Sequence, residues 1–284
     1  MAHGPTPPGQ PRLAGSVRPC EHVGMSLFRR HTLMAGLGLA AFGQPALARP
    51  AGPGTTLHLV TSDLPPFAMD GGHSGRRGVL LELAETLLQR AGLASQTRFY
   101  PWARALLLAS ETPRTLILPL NRTPEREARF QWLLKLYAQR FVFLSLNAQA
   151  RVDSIEQARA ARVGVLRGSS NLTRLQQLGL TPERLYEAAN VDDLHRALER
   201  GLVDTMYGSE LIHTEAWQRK GRAREQLQVG MTLESADIWL GAQGGVTEDE
   251  IARLRQQQDA MLADGSMERL FRRYGIRLRA EDLR

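Results

Sequence analysis

One arginine supplies the clearest chemistry in the sequence. Arg126 carries a planar guanidinium whose parallel N–H groups match a carboxylate, so it could bind an acidic ligand. Its neighbours Glu125 and Glu127 offer the alternative of a surface ion pair, and the residues alone favour that alternative. Residues 168–170 (GSS) precede a helical pattern, where backbone N–H groups attract anions and a serine caps the helix. From the residues alone, both segments are compatible with binding of a small anion and with a purely structural role.

Other reactive chemistry is hard to find. Four histidines follow residue 48, and none forms an HxH or HExxH spacing, so we expect no metal. The single cysteine, Cys20, lies before the expected start of the mature chain, which excludes cysteine catalysis. The sequence contains no G-x-S-x-G elbow and no P-loop. The pattern favours binding over catalysis, with no cofactor.

The composition is that of an ordinary globular protein. Apolar residues make up 43% and charged residues 23% of the chain. Basic residues exceed acidic ones by 36 − 29 = 7, but 34 of the basic residues are arginines scattered along the chain. A nucleic-acid-binding protein would concentrate them on one stripe, so we expect no nucleic-acid partner.

Residues 1–48 are typical of an N-terminal extension with a signal peptide. After Met25, the pair Arg29-Arg30 precedes a short apolar run and an A-x-A site that ends at Ala48. We predict export to the periplasm with cleavage after Ala48, and a true start at the first methionine or at Met25. A buried N-terminal helix is the alternative. The general secretion route is favoured over the twin-arginine route, which the pair also permits.

The rest of the chain alternates between strand and helix patterns. The order βαβαβ restarts after residue 150, which predicts an α/β fold with two lobes, each a doubly wound sheet. Apolar strands near 141–146 and 238–242 should cross between the lobes and form a hinge. Ligands of parallel sheets lie beyond the C-terminal ends of the strands, so the site should lie in those loops. The predicted boundaries are 49–143 for lobe 1, 144–237 for lobe 2, 238–276 for the return to lobe 1 and 277–284 for a C-terminal tail.

Four stretches carry a resemblance to a known family. They are 63–67 (DLPPF), 121–126 (NRTPER), 163–170 (VGVLRGSS) and 263–275 (ADGSMERLFRRYG). In this order the chain resembles a bacterial family-3 extracytoplasmic solute-binding protein, the amino-acid-type receptor of ABC importers. The resemblance implies a type II periplasmic-binding-protein fold and hinge closure around a small molecule. It also implies an ABC permease as partner, and we expect a monomer.

The resemblance assigns roles to side chains in the loops. Arg126 matches the arginine that binds a ligand carboxylate, and Asn121 matches a second polar contact or a turn residue. Trp102 lies where an aromatic platform is common, with core packing as the alternative. Arg104 would add positive charge or be solvated, and Asp63 would bind an ammonium group or cap the Pro-Pro turn. The expected ligand-binding residues are Asp63, Trp102, Arg104, Asn121, Arg126, Gly168, Ser169, Ser170, Tyr207 and Ser209.

One departure from the family bears on the ligand. Members that bind α-amino acids carry an aspartate five residues after the acid that corresponds to Asp204, and here that place is Ser209. The ammonium clamp is therefore missing, or displaced to Asp63 or Glu210. We expect an exported receptor for a carboxylate-bearing, net anionic solute. The alternatives are a periplasmic dehydratase-like enzyme with Asp63 or Glu210 as its base, and a ligand-sensing accessory module.

Overall fold

The structure is a computed structural model that describes residues 56–70, 75–278 and 282. The predicted signal peptide with its cleavage site, His73 and most of the predicted tail after residue 278 lie outside the described residues. Within the described part, no helix is long and apolar enough to cross a membrane.

The chain alternates between strands and helices, as its sequence pattern predicts. In the described residues, β1 to β8 are Leu57–Thr61, Ser95–Phe99, Thr115–Asn121, Gln131–Ser145, Val163–Leu166, Leu185–Ala188, Thr205–Ser209 and Gln228–Ala242. The helices α1 to α9 are Val79–Arg90, Trp102–Glu111, Pro124–Glu127, Ile155–Ala160, Ser170–Gln177, Val191–Glu199, Glu210–Arg219, Glu248–Ala263 and Ser266–Arg273.

All eight strands join in the hydrogen-bonded order β2-β1-β3-β8-β4-β7-β5-β6. The strands at each end are parallel: β1 pairs with β2 and β3, and β5 pairs with β6 and β7. In the middle, β4 and β8 are 15 residues long, run antiparallel and belong to both halves. The predicted α/β class is confirmed. The predicted lobe boundaries lie on or beside these two strands and stay predictions.

Alternate side chains of β4 contribute to two buried clusters, one on each face of the sheet in the second lobe. Phe141 and Phe143 belong to one buried cluster, and Val142 and Leu144 belong to another. Because successive side chains of a strand point to opposite faces, the two clusters lie on opposite sides of the sheet. This is the arrangement of a doubly wound sheet.

The first lobe is built from both ends of the described chain. The helix α1 follows apolar spacing from Val79, and α8 and α9 pack against it. The phenol of Tyr274, just after α9, donates to Glu82 and accepts from the backbone N–H of Gly78 at 3.0 Å. Arg273 adds an ion pair to Glu82 at 3.0 Å. The last helix therefore anchors the start of the first one.

Candidate functional site

A small cavity of about 50 Å³ lies where the two lobes meet. The first lobe contributes the end of β3, the start of α2 and the short helix α3. The second lobe contributes the loop after β5 and the junction of β7 with α7. Polar lining residues come from both lobes, and among them are Asn121, Arg126, Ser169, Ser170, Asn171 and His213.

Arg126 is a buried guanidinium with no carboxylate partner among the described residues. Only 8% of the residue is exposed. Its Nη1 donates to the carbonyl of Asn121 at 3.2 Å, and its Nη2 donates to the carbonyl of Gly168 at 3.3 Å. Burial lowers its pKa from 12.5 to about 10, so it keeps its charge at neutral pH. A buried charge without a counterion is costly, and an anion in the cavity would supply that counterion.

The two glutamates beside Arg126 have other partners. Glu127 forms an ion pair with Arg122 at 2.7 Å, and Glu125 accepts from Gln177 at 3.0 Å. The surface ion pair that the sequence offered for Arg126 is therefore absent from the described residues. The guanidinium is available to a ligand instead.

The loop at Gly168 closes against the first lobe. Its carbonyl accepts from Arg126 and also from the indole N–H of Trp102 at 3.3 Å. Gly168 has φ +75°, and a Cβ there would lie 3.0 Å from the Cα of Ala103. Both the backbone angle and the close approach require glycine. Trp102 is buried and lines the cavity, so it takes part in packing and in the wall of the site.

Two serines and an asparagine begin the helix α5 inside the cleft. Ser170 accepts from the side-chain amide of Asn121 at 3.0 Å, which links the two lobes. Ser169 occupies the N-cap position but makes no capping hydrogen bond, and its Oγ has no partner. The Oδ1 of Asn171 is also buried without a partner, while its Nδ2 donates to the carbonyl of Tyr207. Buried polar atoms normally find partners, so these two oxygens are available to a ligand or to water.

Two buried histidines lie at the second-lobe wall. His213 on α7 lines the cavity, and its Nδ1 lies 3.2 Å from Nε2 of His195 on α6. Burial lowers the pKa of His195 to about 4 and that of His213 to about 3. Both rings are therefore neutral at pH 7. The sequence predicted surface or ordinary packing for each histidine and gave no sign that they meet.

Ser209 lies at the far end of β7, where the family resemblance expects an acid. Its hydroxyl donates to Oε1 of Gln139 at 2.5 Å and accepts from the N–H of Ile212, which caps α7. Ser209 and Gln139 are both buried and line the cavity. This neutral pair occupies the position of the missing ammonium clamp.

Four of the predicted binding residues do not line the cavity. Gly168 is one of them, although its carbonyl accepts from Arg126 and Trp102, which do line it. Asp63 is exposed at a wider opening of about 490 Å³, where it lies 3.8 Å from Arg219. Arg104 is exposed and stacks over the ring of Tyr100 at 5.4 Å. Tyr207 is fully buried in the second-lobe core, where burial and the nearby Glu234 raise the pKa of its phenol.

The charge of the cavity is one-sided. Among the described residues, Arg126 is the only charged side chain that lines it. Glu210, the other candidate for a displaced clamp or a catalytic base, pairs with Arg140 at 2.5 Å and with Arg224 at 3.5 Å, away from the cavity. The cavity thus offers a cation and neutral polar groups, with no carboxylate in its wall.

The fold is shared with solved ligand-binding proteins. No family model and no curated protein sequence matches the chain. An ABC uptake transporter substrate-binding protein from Streptococcus pneumoniae with bound histidine matches with TM-score 0.70 at 12% identity, over 80% of this chain and 95% of the other. The arginine-, lysine-, histidine-binding protein ArtJ from Geobacillus stearothermophilus matches with TM-score 0.69 at 14% identity, over 80% and 98%. A histidine kinase sensor domain with similarity to periplasmic binding proteins matches with TM-score 0.69 at 14% identity, over 77% and 95%.

These similarities establish that the chain has the periplasmic-binding-protein fold. The predicted fold is confirmed. Each of the three structures is described as a binding or sensor domain, and their printed ligands are properties of those proteins.

Proposed function

We propose that the protein is a solute-binding receptor for a small carboxylate-bearing molecule that lacks an ammonium group. One observation carries this proposal: the buried guanidinium of Arg126 faces the cleft without a carboxylate partner among the described residues. A ligand carboxylate would accept from its two Nη groups and supply the missing negative charge. The neutral Ser209–Gln139 pair and the absence of a lining carboxylate argue against a cationic group on the ligand.

Binding would proceed by closure of the two lobes. Hydrogen bonds already cross the cleft, among them those from Arg126 and Trp102 to the carbonyl of Gly168 and from Asn121 to Ser170. A ligand that bridges the same groups would favour the closed form over an open one, since it can shift the equilibrium only by binding one form better. The crossing strands β4 and β8 are the expected hinge.

The proposed setting is the periplasm, with an ABC permease as partner and the receptor as a monomer. Two of the similar solved structures are described as an uptake-transporter binding protein and an amino-acid-binding protein, which supports this setting. The mature N-terminus of the exported protein should be Arg49. Intact mass of the protein recovered from the periplasm measures this directly, and a start well away from Arg49 would contradict the export prediction.

A sensing role is the second candidate, because one similar structure is a histidine kinase sensor domain. An importer receptor should support uptake of the bound solute, so deletion of the gene should abolish uptake. Deletion of a sensing module should leave uptake intact and change gene expression in response to the solute. Either result leaves the binding proposal itself standing.

The binding proposal is tested by removing the guanidinium. Native mass spectrometry of gently purified protein identifies the small molecule that copurifies, and calorimetry then measures its affinity for the parent, Arg126→Ala and Arg126→Lys. Loss of a charge-assisted bidentate contact costs about 2 to 3 kcal/mol, which weakens binding roughly 30- to 150-fold. Lysine should recover only part of the affinity, because an ammonium group cannot present the planar fork.

Arg129→Ala is the matched control, because Arg129 is an exposed arginine three residues further along the chain. It should bind like the parent. If Arg126→Ala also binds like the parent, Arg126 does not contact the ligand and the proposed site is wrong.

A further inference from the structure

We infer that the buried histidine pair selects a ligand with a second acceptor oxygen, so that the ligand is a short carboxylic acid with a further carbonyl, hydroxyl or carboxylate oxygen. This inference rests on the proposed function, because His213 lines the same cavity as Arg126. It goes beyond that function by assigning a specificity-determining residue, His213, and a positioning residue, His195.

The position of His213 is fixed from two sides. Only 4% of the residue is exposed, and its Nε2 lies against Gly208, where an added Cβ would be 2.3 Å away. Its Nδ1 lies 3.2 Å from Nε2 of His195, which is fully buried and contacts the edge of Trp217 with ring centroids 5.3 Å apart. The ring therefore has one nitrogen on His195 and the other beside Gly208, and both His213 and Gly208 line the cavity.

The hydrogen-bond accounting decides which nitrogen of His213 carries the proton. The Nδ1 of His195 is buried and has no partner. If His213 donated to His195, this Nδ1 would be a buried N–H without an acceptor, which is rare and energetically costly. If His195 donates instead, only a lone pair is left unpartnered, and unpartnered acceptors are better tolerated than unpartnered donors.

His195 is therefore the donor, and His213 presents its Nε2–H to the cavity. The neutral state of both rings at pH 7 is consistent with this assignment, since a protonated ring would have two donors to satisfy. The cations nearest the pair, Arg222 and Lys220 beside His195, further oppose a charge on it.

The cavity thus has donors on opposite lobes, the guanidinium of Arg126 on the first and the imidazole of His213 on the second. The described structure gives Nε2 of His213 no hydrogen-bond acceptor. A cavity of about 50 Å³ has room for only about four water-sized groups at roughly 12 Å³ each. The ligand is therefore short, and it can accept from both donors only if its second polar group is an acceptor. An ammonium group would meet a donor instead.

Four probes with the same three-carbon chain test this selection: propionate, pyruvate, L-lactate and L-alanine. They share the carboxylate and differ only at carbon 2. In calorimetry we expect pyruvate and lactate to bind about 5- to 150-fold tighter than propionate, since one buried donor is satisfied at about 1 to 3 kcal/mol. Alanine should bind most weakly, because its ammonium group cannot accept.

Variants assign the selection to the histidines. His213→Leu should reduce the affinity ratio of pyruvate to propionate to about 1, while His213→Gln, which keeps a side-chain donor, should recover part of the ratio. His58→Leu is the control, because His58 is an exposed histidine on β1. Nitrogen-15 NMR of the parent reads the tautomer of His213 directly. A proton on Nδ1 would overturn the assignment, even if His213→Leu did not fold.

The outcomes separate this inference from the proposed function. If all four probes bind equally, or if His213→Leu weakens all of them equally, the histidine pair does not select and the inference is wrong while the receptor function stands. The inference is also wrong if no probe binds but Arg126→Ala loses a longer copurifying acid. If Arg126→Ala loses neither probe nor copurifying molecule, the proposed function itself fails.

Discussion

Replacing Arg126 by methionine should stabilise the ligand-free protein while it weakens ligand binding. Methionine keeps the long unbranched shape of the side chain and removes its charge. Arg126 is buried without a carboxylate partner in the described structure. Its charge therefore destabilises the ligand-free protein, and a ligand carboxylate would offset this cost. An arginine that was solvated in an open cleft would leave the melting temperature unchanged. A rise in the melting temperature would therefore indicate that Arg126 is a buried, unpaired charge, whereas no change would indicate a solvated arginine.

The size of the effect follows from the pKa of Arg126. Burial lowers this pKa from 12.5 to about 10, and at 1.36 kcal/mol for each pKa unit the charged form is disfavoured by about 3 kcal/mol. Methionine also loses the hydrogen bonds to the carbonyls of Asn121 and Gly168, at about 1 kcal/mol each. The net gain is about 1 kcal/mol, which raises the melting temperature by about 2 to 4 °C in a chain of this size.

Calorimetric melting of ligand-free protein measures this change. The control is Arg129→Met, which removes an exposed charge from the same segment and should change stability by less than about 0.5 kcal/mol. If Arg126→Met lowers the melting temperature by more than that control, its bonds to the two carbonyls outweigh the buried charge. Arg126 would then be a structural link between the lobes, and the reasoning from an unpaired charge to a ligand would be refuted.

Two further predictions concern pH and the glycine loop. Lowering the pH from 7.5 to 5.5 should reduce the free energy of unfolding by about 1.4 kcal/mol for each of His195 and His213. In the folded protein their pKa values are about 4 and about 3, below the unfolded value near 6.5. The unfolded chain therefore takes up protons in this pH range, and the folded protein does not. Urea titrations at both pH values measure this loss, which should vanish in a variant with both histidines changed to glutamine; an equal loss in that variant would contradict it. Gly168→Ala should weaken binding of the copurifying solute at least about 10-fold. The added Cβ would lie 3.0 Å from the Cα of Ala103 and the φ of +75° is strained for alanine, and each effect opposes closure of the lobes by about 1 to 2 kcal/mol. Gly201→Ala, with φ +66° and open space around its Cβ, carries the same backbone strain and should bind like the parent, so equal affinities of the two variants would show that the loop does not close on the ligand.

Regular apolar spacing made much of the fold predictable. The helix α1 is an example, because its buried residues follow one helical stripe from Val79. The helix α7 was missed because its buried face is partly polar. His213 and Thr214 are buried beside Ile212 and interrupt the apolar helical pattern. The strands β4 and β8 were predicted only in part, since shifts of register interrupt their alternation.

The parts of the site that could be predicted are those where a single residue type suits one function, such as an arginine for a carboxylate or a glycine for a positive φ. Arg126 and Gly168 matched family positions, and the structure puts the guanidinium on the glycine carbonyl. The histidine pair was not predictable, because His195 and His213 are 18 residues apart and meet only when α6 packs against α7. Tyr207 shows the limit of locating a site by strand ends. Its side chain points to Phe143 in the core, with ring centroids 5.0 Å apart, while its neighbour Gly208 lines the cavity.

The anchoring of α1 by Tyr274 sets an order for the events of folding. Gly78 and Glu82 form hydrogen bonds with Tyr274, which lies 196 and 192 residues later in the chain. The second lobe is complete within one stretch between β4 and β8, whereas the first lobe needs α8 and α9 before its core can close. Contacts this distant in sequence slow folding. During synthesis the first lobe therefore stays incomplete until α9 has left the ribosome, so nearly all of the described chain is made before this lobe can fold.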